Sequence, residues 1–183
     1  MAETTPSIIQ YRDRIRLRTE DNRYVCLLVA HHPETCWLTL VDQPSEDCEF
    51  LIREYDYSTR KPTPFSGDFN ADTLDSHGNV RFIHVDTRPV HNVGDSHVLS
   101  VHPDKDQIYW GVGWGPSDRN EAFAFFDANE GSNDGQVYDG SRVVVRSLIE
   151  RPEKLFWYVV RDETGNDRLR IDPEMTPFII EKV

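Results

Sequence analysis

Long apolar runs are missing from this chain of 183 residues. No stretch approaches the roughly 20 consecutive apolar residues that a membrane-spanning helix needs. Basic charge is scarce: 20 Lys and Arg face 32 Asp and Glu, a formal net charge of −12. A surface of that sign repels phosphate backbones and anionic lipid, so neither a nucleic-acid partner nor membrane insertion is expected. Cysteine is scarce as well. Cys26, Cys36 and Cys48 make an odd set with no Cys-x-x-Cys pair. That favours reduced thiols and a cytoplasmic setting, as does an opening from Met1 to Pro6 with neither a basic start nor an apolar run. In an oxidising compartment, Cys26–Cys36 or Cys36–Cys48 would be the bridges to consider. Catalytic signatures are missing too: there is no Gly-x-Ser-x-Gly elbow, no phosphate-cradling glycine loop and no dinucleotide fingerprint. Cys26 can be drawn against His31 and His32 as a thiol–imidazole pair. However, it shares an alternating face with Tyr24 and Leu28 and reads as core. No catalytic residue is assigned, and a non-enzymatic protein is expected.

Helical periodicity is also absent, and strand signals fill its place. Ile15-Arg16-Leu17-Arg18 alternates apolar with charged residues. Trp37-Leu38-Thr39-Leu40-Val41 and Phe50-Leu51-Ile52 follow as further short runs. A period of two buries one face of a strand and leaves the other wet. With 38% hydrophobic and 11% aromatic residues, a chain of this length can build one packed domain without metal or disulfide support.

The chain also repeats itself. One segment opens at Ile15 and closes at Phe50; another opens at Val143 and closes at Phe178, the same spacing of 35 (50 − 15 and 178 − 143). Between those ends, Tyr24-Val25-Cys26-Leu27 is matched to Trp157-Tyr158-Val159-Val160, and Leu38-Thr39-Leu40 to Leu169-Arg170-Ile171. A looser middle segment opens at Val80, continues through Val98–Val101 and Ile108–Gly111, and closes at Phe123. Four short strands cannot bury their apolar face alone, but three such units can close around a shared core. The shared core is expected to hold Leu17, Leu40, Phe50, Phe82, Phe123, Val145, Ile171 and Phe178. The polar turn Thr19-Glu20-Asp21-Asn22 before Arg23-Tyr24-Val25, with Phe50 closing the unit, resembles the repeat of the β-trefoil superfamily, in its fascin-like and lectin-like forms. The resemblance implies an all-β trefoil over 11–183 with repeats at about 11–57, 78–127 and 140–183, after a flexible tail over 1–10 in which Ile8 and Ile9 can pair as an edge strand. The Gln-x-Trp signature of ricin-type lectins is absent, so no sugar-site residue is carried over from them.

Two inserts rich in Pro, Gly, Asn and Asp, 55–79 and 127–142, interrupt the repeats and read as loops. Asp68, Asn70 and Asp72 alternate as calcium-loop ligands do. The sixth and twelfth positions of that pattern are here Thr73 and Asn79, not Gly and Glu, so a self-capped polar turn is the plainer reading. His77, His84, His91, His97 and His102 crowd one stretch without zinc-site spacing. The run Tyr109-Trp110-Gly111-Val112-Gly113-Trp114-Gly115-Pro116 offers two indoles four residues apart, on one side of an extended strand. Trp110 and Trp114 are therefore candidate ligand-binding residues, with Asp118, Arg119 and Asn120 able to hydrogen-bond sugar hydroxyls. Burial in the core is the competing fate of either indole, and Trp114, next to a Gly-Pro turn, is the one expected to be exposed.

These features point to a binding module for a carbohydrate. The alternative is a protein-binding trefoil, either a protease inhibitor using its long inserts or a fascin-like cytoskeletal binder. No metal or cofactor is expected. Thermal melts in EDTA, in Ca²⁺ and in Zn²⁺ should coincide, because an ion that binds only the native state raises the melting temperature. A clear upward shift with Ca²⁺ would restore Asp68, Asn70 and Asp72 as ligands.

Overall fold

The structure is a computed structural model. It describes residues 7–10, 13–28, 35–56, 61–62, 79–84, 97–102, 104–112, 123–128, 137–147, 149, 153 and 155–183. Among them the chain is all-β. Its strands are β1 (Arg14–Thr19), β2 (Tyr24–Leu28), β3 (Thr35–Val41), β4 (Phe50–Asp56), β5 (Lys61–Pro62), β6 (Asn79–His84), β7 (His97–Val101), β8 (Ile108–Val112), β9 (Phe123–Asp127), β10 (Arg142–Ser147), β11 (Leu155–Arg161), β12 (Asp167–Asp172) and β13 (Phe178–Lys182). A single 3-10 turn, Glu46–Cys48, is the one helical element among the described residues. No helix there is long and apolar enough to cross a membrane. Every strand pairing is antiparallel, and the strands join into one sheet.

The pairings close on themselves. β1 pairs β4, β4 pairs β6, β6 pairs β9, β9 pairs β10, β10 pairs β13, and β13 returns to β1. A closed ring leaves no unpaired edge among its six strands. The ring alternates between pairings inside a unit, first strand to fourth, and pairings between neighbouring units. Three hairpins stand outside it: β2–β3, β7–β8 and β11–β12.

The apolar residues matched along the chain are register partners in space. Ile15 lies opposite Phe50, Val80 opposite Phe123, and Val143 opposite Phe178. The pairings between units repeat the same order: Leu17 opposite Ile180, Ile52 opposite Phe82, and Phe125 opposite Val145. Ile15, Leu17, Phe50, Ile52, Phe123, Phe125, Val143, Val145, Phe178 and Ile180 are all buried in one cluster. Ile171 joins it, and Leu40 packs against it half-buried. The side chain of Phe82 lies outside what the structure describes. Trp157, from the third hairpin, sits at the floor of the ring. Its indole meets Phe123 edge-on at 5.3 Å and Phe178 edge-on at 6.4 Å, a favoured geometry for aromatic pairs.

Three expectations are corrected. First, the match of the inner strands was one residue out of step. Val25 pairs Leu40 just as Trp157 pairs Ile171, so Val25, not Tyr24, is the counterpart of Trp157. A one-residue slip exchanges the two faces of a strand. Val25 and Leu27 therefore face the core cluster, while Cys26 is buried on the other side of β2 and lies outside that cluster. Second, residues 7–10 are not a free tail. Ile9 is fully buried and its amide donates to the Val137 carbonyl at 2.8 Å, while Ile8 bridges Tyr138. Third, the inserts are not wholly loop. β4 runs on to Asp56 and pairs β5, and Val137 belongs to the core.

The hairpins lean on one another. Thr39 Oγ1 donates to the Asp167 carbonyl at 2.9 Å, and Arg23 forms an ion pair with the Asp167 carboxylate. The Ile171 amide donates to the Asp106 carbonyl at 2.7 Å, beside a bridge from Gln107 to Arg170. Phe50 and Phe178, in the ring, are among the largest fully buried side chains. Phe50→Ala or Phe178→Ala should each cost about 3–5 kcal/mol, read from the urea midpoint. Met175→Ala, at an exposed position, should change stability by no more than about 0.5 kcal/mol. Equal effects at the two kinds of site would refute the assignment of this core.

Candidate functional site

Trp37, in β3, is the register partner of Tyr109 in β8. The alternation that turns Leu38 and the half-buried Leu40 toward the core cluster turns Trp37 to the opposite face. There it meets Tyr109 edge-on at 6.0 Å and the His102 ring at 5.9 Å, and His102 and Tyr109 are themselves 5.9 Å apart. Trp37 and His102 are half-buried, whereas Tyr109 is buried beneath them. Burial pushes the Tyr109 phenol up, partly offset by the hydroxyl of its register partner Ser100. The three rings form an aromatic shelf across the hairpins β2–β3 and β7–β8.

A tight turn closes the shelf on one side. The His102 amide donates to the Gln107 carbonyl at 2.8 Å, and the Asp106 amide to the His102 carbonyl at 3.1 Å. Asp106 takes a left-handed φ of 53° to make this turn, a conformation that Asp tolerates better than most residues. The Asp104 amide donates to His102 Nδ1 at 3.2 Å, which leaves the neutral ring its proton on Nε2. Lys105, exposed on the turn, holds its Nζ 5.4 Å from the Trp37 ring centroid, within the range of a cation–π contact. The Asp104 side chain is exposed next to it. The result is an indole with an ammonium over its ring and an exposed carboxylate on the same turn.

Among the expected site residues, Trp110 is corrected. It is 2% exposed and belongs to the core cluster. Its register partner is Leu99, as Val25 is that of Leu40 and Trp157 that of Ile171. Trp110 thus fills in the second hairpin the place of Leu40 and Ile171, and its face is not open to a ligand. Trp114, Asp118, Arg119 and Asn120 lie outside the described residues, as do Asp68, Asn70 and Asp72. Among the described residues no cluster of three or more His, Cys, Asp or Glu is arranged to hold a metal ion. Trp37 was missed as a site residue although its signal is present: it is one step out of phase with Leu38 and Leu40, which puts it on the wet face.

No protein-family model and no curated protein sequence matches the chain. Solved structures do resemble it. An SDF2-like protein from Arabidopsis thaliana superposes with a TM-score of 0.63 at 13% identity, over 96% of each chain. Part of the protein O-mannosyltransferase Pmt1–Pmt2 complex of S. cerevisiae, solved bound to its sugar donor, superposes with a TM-score of 0.62 at 15% identity. That match covers 98% of this chain but 26% of the transferase chain. A Caenorhabditis elegans protein of unknown function follows at 0.61 and 8% identity, over 95% of this chain and 96% of its own. At these identities the likeness is one of fold.

The contact between Lys105 and Trp37 can be measured. A double-mutant cycle of Lys105→Met with Trp37→Leu should give a favourable coupling of about 0.5–1 kcal/mol in urea unfolding, the size of an exposed cation–π pair. Strictly additive effects would mean that the ammonium does not sit over the indole.

Proposed function

We propose that the chain is a β-trefoil binding module with no catalytic activity of its own, and that it binds a glycan on the aromatic shelf around Trp37. The trefoil reading is supported by the threefold order of the ring, in which first and fourth strands pair within each unit and one hairpin per unit stands outside. The glycan reading is carried by one observation. A half-buried indole packs against Tyr109 and His102, with the Lys105 ammonium over its ring and the exposed Asp104 on the same turn. The apolar C–H face of a pyranose takes the place of the flexible Lys105 side chain on that ring, after which Asp104 can accept and Lys105 can donate hydrogen bonds at the hydroxyl rim. A neutral sugar fits best, because the net charge of −12 repels anionic ligands at long range.

A glycan array should return a restricted set of neutral or amino sugars, and calorimetry on the best of them gives the reference affinity. Trp37→Ala should lower that affinity roughly thirtyfold, corresponding to about 2 kcal/mol for a stacking aromatic. Asp104→Asn, on an exposed turn, should weaken binding while leaving the melting temperature unchanged. A flat array, or binding that survives both substitutions, would overturn this assignment.

A further inference from the structure

A second cluster lies on the same outer face of the β2–β3 hairpin, where Cys26 is the register partner of Thr39. Cys26 in β2 and Cys48 at the end of the 3-10 turn are 4% and 0% exposed. Both face one hydroxyl: Ser45 Oγ is 3.9 Å from Cys26 Sγ and 3.8 Å from Cys48 Sγ. The Ser45 amide also donates to Cys48 Sγ at 3.4 Å. The two thiols thus share Ser45 as a common neighbour, and the positive charge of Arg16, itself paired with Glu49, acts on Cys48. A sulfur that accepts a proton from a backbone amide, with a guanidinium nearby, is in surroundings that favour a thiolate. Residues 42–46, which lead into the helical turn of three residues that ends at Cys48, are exposed throughout.

We propose that Cys26 and Cys48 are an oxidation site that a hydroperoxide converts to a reversible disulfide, with Cys48 attacking and Cys26 resolving. The Cys48 thiolate attacks the distal peroxide oxygen, an S–O bond forms as the O–O bond breaks, and the departing alkoxide, or hydroxide from hydrogen peroxide, takes up the proton that Cys48 gave up. Cys48 is then a sulfenic acid, oxidised by two electrons. The Cys26 sulfur attacks the Cys48 sulfur, the S–S bond forms, and the hydroxyl leaves as water with the Cys26 proton. The sum is two thiols and one hydroperoxide giving one disulfide, one alcohol or water, and one further water. A dithiol reductant restores the pair by exchange.

The division of roles follows from the surroundings of the two thiols. The neighbouring Cys48 and burial push the Cys26 thiol up, whereas the neighbouring Cys26 and the Ser45 amide lower Cys48 to about 7 against the opposing effect of burial. Cys48 is therefore the thiol that ionises first, and Cys26 is the one that keeps its proton. Cys36 is not needed for the reaction.

The test uses the full chain carrying Cys36→Ser, treated with one equivalent of hydrogen peroxide near neutral pH. Free thiols should disappear, and non-reducing peptide mapping should show an intramolecular Cys26–Cys48 link that dithiothreitol reverses. The oxidised chain should melt roughly 5–10 °C higher, since the link closes a loop in the unfolded state. The rate should rise with pH through a midpoint near 7 as Cys48 ionises. In a second variant, Cys26→Ser, Cys48 should accumulate as a sulfenic acid that a dimedone probe labels. Thiols that resist peroxide in the folded chain, links between chains only, or a Cys26→Ser chain that labels no more than the Cys36→Ser chain would each overturn the proposal. A wild-type link that runs through Cys36 would do the same.

Discussion

Each four-strand unit of this chain carries an apolar face too large for it to cover alone, and the register between its first and fourth strands decides how that face is presented. With Ile15 opposite Phe50, Val80 opposite Phe123 and Val143 opposite Phe178, the same register recurs three times, and Ile15, Phe50, Phe123, Val143 and Phe178 are buried in one cluster. The pairings between units then set Leu17, Phe82 and Val145 against Ile180, Ile52 and Phe125. The ring closes because these registers agree. A slip of one residue in any of them would turn its apolar set toward water and leave Trp157 without the two phenylalanine edges it packs against.

A closed ring frees the hairpins for other work. Their inner faces still serve the core, through Val25, Leu27, Leu99, Val101, Trp157 and Leu169. Their outer faces are not needed for closure and can carry chemistry. The parity of a strand therefore sorts residues of the same type into different roles. Trp110 falls on the inner face of β8 and is core; Trp37 falls on the outer face of β3 and becomes the centre of the aromatic shelf. Cys26 is sorted in the same way. It sits between Val25 and Leu27 but points away from the cluster they join, and the short turn ending at Cys48 folds down over it. The shelf and the thiol pair are both products of the outer surface of one hairpin.

Polar links between the units follow the same geometry. Asp167 receives Arg23 at its carboxylate and Thr39 at its carbonyl, tying the first unit to the third next to the hairpins. Arg18 meets Glu181 at 2.6 Å across the β1–β13 seam. Such pairs at partly exposed positions add little stability one by one. They do favour one mutual arrangement of the units, since each partner comes from a different repeat.

The amino-acid sequence by itself determined the all-β strand content and the pairing of Ile15, Val80 and Val143 with Phe50, Phe123 and Phe178. Those signals are local alternation and a repeated spacing, and neither needs a partner strand to be seen. The spacing from Ile15 to Phe50 equals that from Val143 to Phe178 because both pairs meet the same geometric requirement. The inner strands were legible only to within one residue. Tyr24-Val25-Cys26-Leu27-Leu28 contains nearly continuous apolar character, so its phase is set by the partner strand and not by its own pattern. Tertiary structure alone decided that Ile9 is anchored beside Val137, that Trp110 is enclosed while Trp37 faces outward with His102 and Lys105, and that Cys26 and Cys48 share Ser45 as a neighbour. Each of these depends on which strand lies across from which, and cross-strand register brings together residues whose separation along the chain carries no mark of the contact.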